Sequence, residues 1–340
     1  MTTGPLPPYI LALQDRAAFP HPADEVRLVQ THISYLLLAG DFAYKIKKPV
    51  NFGFLDFTTL GKRRHFCEEE LRLNRRLCPE LYLAVLPITQ DGETSIRLNG
   101  QGPAIEYCLK MARMPEERMM GAVIGKGELT RALLDGIVEL LVPFYQRAEA
   151  GAEITAFGRP EAVAVNVREN FEQTRSFVGG PALSPAQFET ISRYALNFLG
   201  REELFAARMA AGRIRDCHGD LYSANICLAA RTYIYDCIEF NQRFRYCDVA
   251  SDVAFLAMDL DFHHLPELSD YFITRFSERS ADPGLNTMLD FYKCYRAYVR
   301  GKIGLFTAHA PEVEPAVQES CLKGASRYFE LAASYAQHAA

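Results

Sequence analysis

The sequence predicts an α+β fold of two lobes, a small N-terminal lobe rich in β-strands and a larger helical C-terminal lobe. The first third of the chain contains β-branched and aromatic segments around a turn at Gly40-Asp41, which is typical of paired strands. Beyond Glu128, apolar residues recur at helical spacing between segments rich in glycine and proline. With 340 residues and 49% hydrophobic content, the chain can bury a large core and is long enough for two lobes. We therefore predict lobes over 1–112 and 113–340.

Three strands followed by one helix are predicted in the first part of the N-terminal lobe. The strands cover 25–30, 33–39 and 42–47, and the helix covers 61–78, where Pro79 ends it. Because side chains alternate along a strand, Ala43, Lys45 and Lys47 share one face. A further strand is expected over 104–111, and the next residues should cross to the second lobe.

The C-terminal lobe is predicted to be helical on both sides of a short hairpin. Amphipathic helices are expected over 129–150, 163–177, 184–198 and 248–260, with two or three more helices after them. The hairpin consists of strands at 224–228 and 232–236, joined by a turn at 229–231.

The motif HGD at 218–220 carries the chemistry, together with Asn225 and with Asp236 at the end of an apolar run. The predicted hairpin places Asp220, Asn225 and Asp236 around one small volume. Two carboxylates and an amide oxygen form a set of hard ligands suited to Mg²⁺. Kinase-type phosphoryl transfer needs these groups in this order, to orient the acceptor hydroxyl and to hold the metal on the ATP phosphates. Glu239 is the alternative ligand if the strand register differs.

The stretch HGDLYSAN at 218–225, followed by IYD at 234–236, resembles the signature of the aminoglycoside phosphotransferase and choline kinase branch of the protein-kinase-like superfamily. That branch opens its next helix with an Asp-Leu-Ala or Asp-Ile-Ala step. Asp248 and Asp252 each begin such a step here, so either could buttress the catalytic loop. The resemblance implies a bilobal protein-kinase-like fold, with ATP and Mg²⁺ as cofactors.

More narrowly, the segments 31–50, 54–88 and 292–302 resemble the kinase half of a bacterial aminoglycoside phosphotransferase-like group. Members of that group often carry a second domain, a P-loop ATPase. The segment 121–127 superficially resembles a Walker A loop, but it is one residue short and has glycine where Ser or Thr should hold Mg²⁺. We therefore expect the kinase half only.

The same resemblance implies the residues that contact the phosphates. The segment AYK at 43–45 resembles the Ala-x-Lys step of the third kinase strand, whose lysine reaches the phosphates. Lys45 is therefore the expected phosphate contact, with Lys47 as the alternative. Glu69 resembles the helix-C glutamate that pairs with this lysine, and the glutamates on either side of it are expected in solvent.

One departure from the kinase pattern is the turn at 30–35, which contains no glycine. Kinases normally close over the phosphates with a glycine-rich hairpin, because backbone without side chains can approach phosphate closely. Here backbone amides would be helped by the side chains of Thr31, His32 or Ser34. The adenine edge is expected to meet the backbone of the hinge between Met111 and Met114.

The expected acceptor follows from the helix over 291–302, where Lys293, Arg296 and Arg300 share one face and tyrosines are interleaved with them. If that face borders the cleft, Arg296 and Arg300 favour a neutral or anionic acceptor over a cationic aminoglycoside. The alternative is a solvated basic face. Four carboxylates could instead line a pocket for a polycation, but we expect them to form a solvated loop beside His263 and His264; they are Asp259, Asp261, Glu267 and Asp270.

Composition argues against several classes of protein. A net charge of -5 and a pI near 6.0 argue against nucleic acid as a partner. No apolar run approaches the roughly 20 residues of a membrane span, and the N-terminus lacks the pattern of a signal peptide. We therefore expect a soluble cytoplasmic protein that binds no membrane. The nine cysteines include no Cys-x-x-Cys pair and are expected to be free, packed thiols.

Three functions stay open. A small-molecule ATP kinase is the leading hypothesis, because every group that phosphoryl transfer needs has a candidate. A protein-modifying kinase or a nucleotidylyl transferase is the alternative, because the glycine-free turn makes an unusual nucleotide pose conceivable. The third function is a nucleotide-binding regulatory module with little turnover.

Overall fold

The computed structural model describes residues 5–92, 95–311 and 313–338. The chain divides into two compact units. The first contains Met1–Glu116 together with Tyr233–Gln242, and the second contains Glu117–Thr232 together with Arg243–Ala340. The segment that carries Asp236 therefore belongs to the N-terminal unit, although it lies late in the sequence.

The first unit is built around a six-stranded antiparallel sheet. Its strands are β1 (Val26–Gln30), β2 (Ser34–Ala39), β3 (Phe42–Lys47), β4 (Tyr82–Asp91), β5 (Ser95–Leu98) and β6 (Ala104–Ala112). Their order in the sheet is β1-β2-β3-β6-β4-β5. Gly40 has φ +54° between β2 and β3, and a Cβ there would lie 2.6 Å from the carbonyl oxygen of Pro22. The predicted hairpin turn therefore requires glycine at this position.

Two helices accompany the sheet, α1 (Pro8–Ala12) and α2 (Leu60–Asn74). Helix α2 is capped by Thr59, whose hydroxyl accepts the backbone N–H of Lys62 at 3.2 Å. It packs against β4 and β6. Its buried face is partly polar and carries Arg63, Cys67, Glu70, Leu73 and Asn74.

The second unit is mainly helical. The helices after α2 are α3 (Met120–Gly125), α4 (Arg131–Arg147), α5 (Ala152–Ala156), α6 (Pro160–Thr174), α7 (Pro185–Leu199), α8 (Glu202–Ala210), α9 (Gln242–Arg245), α10 (Val249–Phe262), α11 (Pro266–Ser280), α12 (Leu285–Ala308) and α13 (Pro315–His338). Helix α10 is buried on every side from Val249 to Leu260 and packs against α11 and α12. Gly301 of α12 lets α13 approach, because an added Cβ would lie 2.8 Å from the Phe329 ring. The predicted α+β class is confirmed.

Four short strands lie around the HGD motif in the sequence. They are β7 (Ile214–Asp216), β8 (Ile226–Leu228), β9 (Thr232–Ile234) and β10 (Tyr246–Asp248), and a 3-10 turn, Ser223–Asn225, precedes β8. Strand β7 leads into the HGD motif and pairs with β10. In the part of the chain that the structure describes, no helix is both long and apolar enough to cross a membrane.

Candidate active site

Lys45 of β3 is at the centre of an ion network in the first unit. Its ammonium Nζ lies 2.8 Å from Glu70 Oε1 and 2.6 Å from Asp236 Oδ1. Burial by itself would lower the pKa of Lys45, but Asp236 and Glu70 raise it well above its usual value. The lysine is therefore held as a cation between a carboxylate of helix α2 and the carboxylate that follows β9.

The helix partner of Lys45 is Glu70, which corrects the prediction of Glu69. Glu69 instead bonds Arg72 on the same helix at 2.8 Å, and 28% of its side chain is exposed. The side chain of Glu70 is 1% exposed. The prediction was wrong because it took the buried face of α2 from apolar residues alone. The spacing of Arg63, Cys67, Glu70 and Asn74 is the signal that could have identified it.

Lys47, the alternative phosphate contact, is buried with partners of its own. Its Nζ lies 2.7 Å from Glu70 Oε2 and also bonds Glu239 Oε1. The exposed fraction of the Lys47 side chain is 1%, against 16% for Lys45. Of the two lysines, Lys45 is therefore the one nearer to solvent.

Asp236 has an unusual backbone conformation. Its φ is +64°, which non-glycine residues seldom adopt. Its backbone N–H donates to the hydroxyl of Tyr82 at 3.1 Å, and the next N–H, that of Cys237, donates to Asn74 Oδ1 at 2.9 Å. These bonds fix the backbone while 41% of the Asp236 side chain stays exposed, so the carboxylate is accessible to a ligand.

In the second unit, Asp220 and Asn225 are in direct contact. The amide nitrogen Nδ2 of Asn225 donates to the carbonyl oxygen and to Oδ2 of Asp220, both at 2.9 Å. The backbone N–H of Asp220 donates to His218 Nδ1 at 3.2 Å, which places the ring proton of a neutral His218 on Nε2. Of the three side chains predicted to surround one volume, Asp220 and Asn225 are in contact at the HGD turn, and Asp236 belongs to the first unit.

The aspartate that supports this turn is Asp252. Its carboxylate accepts the backbone N–H groups of His218 at 2.7 Å and Gly219 at 2.8 Å, and the hydroxyl of Tyr145 at 3.0 Å. Asp248, the other candidate, caps α10 by accepting from Ala250 N at 2.9 Å. The sequence did not distinguish Asp248 from Asp252 as the support of this turn, and the hydrogen bonds identify Asp252.

Arg296 does not have the exposed position that was predicted for an acceptor contact. It is 5% exposed, and its guanidinium donates to the carbonyl oxygens of Gly219 at 2.9 Å and Ser251 at 3.1 Å. Lys293 is also buried and bonds Asp261 at 2.8 Å. The predicted basic face is therefore largely internal, because buried carbonyl and carboxylate oxygens need these donors. Arg296 holds the HGD turn instead.

Arg300, one turn after Arg296, is only half-buried. Its guanidinium lies 4.6 Å from the ring centre of Tyr222 and 5.7 Å from that of Tyr328. Burial would lower its pKa, but Tyr222, Tyr328 and Asp220 raise it, so Arg300 stays a cation. Of the four carboxylates considered for a polycation, Asp259 is buried and accepts the backbone N–H of Ser223 at 2.9 Å, and Asp261 bonds Lys293. Glu267 and Asp270 are exposed on α11.

The glycine-free turn between β1 and β2 is closed by a side chain. Thr31 Oγ1 accepts the backbone N–H groups of Ser34 at 2.9 Å and Ile33 at 3.3 Å, which explains how the turn forms without glycine. His32 is exposed at the tip of the turn, and partial desolvation of its ring, together with nearby positive charge that includes Lys48, lowers its pKa. The hydroxyl Oγ of Ser34 is buried and has no hydrogen-bond partner among the described residues.

The two hinge methionines lie beside an apolar cluster. Met111 pairs with Ala43 of β3, so the two side chains share a face of the sheet. Met111 and Met114 are partly buried and pack against a cluster formed by Cys78, Leu81, Tyr82 and Leu109. This part of the first unit offers an apolar surface at the end of β6.

Comparison with known proteins gives relatives of undefined function. No protein-family model matches the chain. Proteins described as uncharacterized from Mycobacterium tuberculosis and Mycobacterium bovis are 34% identical over 312 residues. The match covers 91% of this chain and 59% of each relative, so this chain spans less than two thirds of their length.

Comparison with solved structures identifies the fold. A choline/ethanolamine kinase family protein from Mesorhizobium loti has a TM-score of 0.52 and 13% identity, over 97% of this chain and 98% of that one. Choline kinase from Cryptosporidium parvum has a TM-score of 0.57 and 11% identity, over 97% and 95%. At these identities the likeness shows the fold alone. As a statement about the fold, the predicted resemblance is confirmed.

Proposed function

We propose that this chain, which has the protein-kinase-like fold of the choline kinase and aminoglycoside phosphotransferase branch, transfers the γ-phosphate of ATP to a hydroxyl group of a small molecule. The observation that carries the proposal is the position of Lys45 between buried Glu70 and partly exposed Asp236. Phosphoryl transfer is catalysed mainly by positioning and by stabilising charge. A lysine cation held ready beside an accessible carboxylate supplies both.

One face of the sheet fits a nucleotide. Strand pairing brings Leu38, Ala43 and Met111 together, and Lys45 follows two residues along the same face. Ser34 pairs with Lys47 at the far end of that face, so its unpaired hydroxyl faces the same way. We propose that the apolar residues, with Met114, bind adenine, and that Ser34 and Lys45 bind phosphate oxygens. Two other residues of this turn were expected to contact phosphate. The hydroxyl of Thr31 instead closes the turn, and the side chain of His32 is exposed.

Asn225 and Asp236 are the proposed Mg²⁺ ligands. Because the amide nitrogen of Asn225 bonds Asp220, its oxygen is the atom that can face a metal. Glu239 is a weaker candidate, since it is buried against Lys47. Within the described ranges, no three His, Cys, Asp or Glu side chains could hold a metal by themselves. Such a site suits Mg²⁺, which commonly binds one or two carboxylates together with water and substrate phosphates.

Asp220 is proposed to orient the acceptor hydroxyl and to accept its proton. One carboxylate oxygen is held by Asn225, and the turn that carries Asp220 is fixed by Asp252 and Arg296. ATP would supply the γ-phosphoryl group and leave as ADP, and Mg²⁺ would neutralise charge on the phosphates. The acceptor hydroxyl must therefore approach Asp220 for transfer to occur.

The proposed acceptor is neutral or anionic. Arg300 supports this, because it is a cation beside the rings of Tyr222 and Tyr328 and would repel a polyamine. Arg296 is buried and bonds backbone carbonyl oxygens, so the proposed acceptor class depends on Arg300. The tyrosine rings suit the body of a sugar or polyol.

Mass analysis after incubation with ATP, Mg²⁺ and a metabolite extract tests the function. The proposal expects a phosphorylated metabolite that forms with the wild-type chain and not with Asp220→Asn. A protein carrying phosphate or AMP would favour a protein-modifying enzyme instead. If neither product forms, a regulatory nucleotide-binding module is the better description.

A further inference from the structure

We propose that Lys47 and Glu239 form a fixed ion pair that holds Glu70 in place, so that Lys45 alone can leave Asp236 for the phosphate oxygens of a nucleotide. This inference rests on the proposed function. It gives Lys47 and Glu239 a positioning role, distinct from the direct contact assigned to Lys45.

The two lysines of β3 each contact a different oxygen of Glu70. Lys45 Nζ lies 2.8 Å from Oε1, and Lys47 Nζ lies 2.7 Å from Oε2. Burial by itself would raise the pKa of Glu70, but Lys45 and Lys47 together lower it to about 2. Each oxygen has its own cation, so Glu70 keeps one partner when the other lysine moves.

The second partners of the two lysines differ in burial. Lys47 contacts Glu239, and the exposed fractions of their side chains are 1% and 5%. Lys45 contacts Asp236, and the corresponding fractions are 16% and 41%. Opening an interior pair leaves a buried charge without compensation, whereas a partly exposed carboxylate can exchange its partner for water or a metal. The outer pair can therefore exchange, and the inner pair is fixed.

Neighbouring groups keep the inner pair in position. The ammonium of Lys47 lies 4.8 Å from the ring centre of Phe57. Burial would lower the pKa of Lys47, but Glu239 and Glu70 raise it, so the lysine stays charged. Glu239 lies three residues after Asp236, and between them Cys237 is bound through its N–H. The segment that carries Asp236 is thus anchored on its C-terminal side.

Charge balance explains why one lysine would not suffice. The network has two ammonium groups and three carboxylates, those of Lys45, Lys47, Glu70, Asp236 and Glu239. If Lys45 were the only cation, its movement to phosphate would leave two buried carboxylates without a partner. With Lys47 present, both remain paired, and the movement of Lys45 uncovers only the partly exposed Asp236.

Thermal unfolding of the nucleotide-free chain tests the fixed pair. Lys47→Met leaves two buried carboxylates with one cation, so we expect the unfolding midpoint to fall by about 5 °C or more. The matched control Lys45→Met should cost less, because Glu70 keeps Lys47 and Asp236 is partly solvated. Combining Lys47→Met with Glu239→Gln should recover part of the loss, since it removes one buried charge.

Calorimetric titration with ADP tests the link to the nucleotide, at a temperature below every midpoint. In Lys47→Met, Glu70 and Glu239 compete for Lys45, so we expect ADP to bind roughly tenfold more weakly. The double variant should bind ADP more tightly than Lys47→Met does, because one competitor has lost its charge.

Equal midpoints for Lys47→Met and Lys45→Met would overturn the inference, and so would a double variant no more stable than Lys47→Met. An ADP affinity that Lys47→Met leaves unchanged would also overturn it. If Lys47→Met fails to fold, the double variant decides, and its folding supports the pair. Wild-type protein that binds no ADP would instead contradict the proposed function, while the unfolding experiment still decides whether the pair is fixed.

Discussion

Glu69 and Glu70 are identical side chains in adjacent positions, yet they lie in opposite environments. One residue turns a helix by about 100°, so a single step exchanges the solvent face for the face that meets the sheet. Glu70 is buried with two lysines, and Glu69 bonds Arg72 at the surface. The residue type was predictable from the sequence, but the apolar stripe alone gave the wrong register, because the buried face of α2 also carries polar residues.

The ion pair of Lys45 and Glu70 gives a first prediction at this scale. Lys45→Met should lower kcat by roughly 10²- to 10³-fold, because a preorganised cation beside developing charge is lost. Glu70→Gln should also lower kcat, since Lys45 loses its buried anchor. Glu69→Gln is the matched control, and steady-state kinetics should find it close to wild type. A larger loss in Glu69→Gln than in Glu70→Gln would restore the original assignment.

The lowered pKa of Glu70 gives a prediction for pH. Its pKa falls from 4.5 in the unfolded chain to about 2 in the fold, so its stabilising effect is present above pH 4.5 and is lost as the pH falls towards 2. Between pH 5 and pH 3 we therefore expect unfolding free energy to be lost through the protonation of Glu70. Denaturant titrations of Glu70→Gln should show a correspondingly smaller difference between these two pH values. An equal difference in both proteins would contradict the ionised, paired state of Glu70.

At the scale of elements, helix α12 combines two roles one turn apart. Arg296 is buried and bonds the carbonyl oxygen of Gly219, whereas Arg300 is half-buried beside Tyr222. Sequence spacing correctly placed both arginines on one side of the helix. It could not show that this side packs against α10, since burial depends on the neighbouring element rather than on the helix itself.

The two arginines should therefore differ in kinetics. Arg296→Ala loosens the turn that carries Asp220, so we expect kcat to fall by roughly 10²-fold with little change in the acceptor KM. Arg300→Ala should raise the acceptor KM with a smaller effect on kcat. Initial rates at varied acceptor concentration separate the two effects. The opposite pattern would return Arg296 to the acceptor site.

Local sequence patterns predicted the strands and helices better than they predicted the contacts between distant parts of the chain. The hairpin at Gly40 and the strands around it follow from turn chemistry and β propensity, and the structure contains them. Helix α2 was predicted to end at Cys78, whereas its regular part ends at Asn74. Asn74 is buried and binds Cys237, a contact 163 residues away in sequence that no local pattern encodes. Only the folded chain shows that Asp252, and not Asp248, supports the HGD turn.

At the scale of the whole molecule, the N-terminal unit is discontinuous in sequence. Residues 233–242 return to it and supply Asp236 and Glu239 to the lysines of β3. The fold class was predictable because it depends on the pattern of many residues. The acceptor was not, since it depends on a few side chains whose burial the sequence does not show.

Discontinuity gives a prediction about fragments. A fragment of residues 1–116 lacks Asp236 and Glu239, so Lys45 and Lys47 would share Glu70 alone and Asn74 would lose its bond to Cys237. We expect it to be much less stable than the same fragment joined to residues 233–242 through a flexible linker. Circular dichroism during heating measures both midpoints. Equal midpoints would show that the returning segment adds nothing to the unit.

The central claim is that Asp220 promotes transfer of phosphate from bound ATP to an acceptor hydroxyl. Its most direct test is to measure the turnover and the ATP affinity of Asp220→Asn side by side with wild type. The account predicts that turnover falls by roughly 10²- to 10⁴-fold while ATP affinity is largely kept, because Asp220 acts on the acceptor. Unchanged turnover in Asp220→Asn would contradict the account and remove Asp220 from the mechanism.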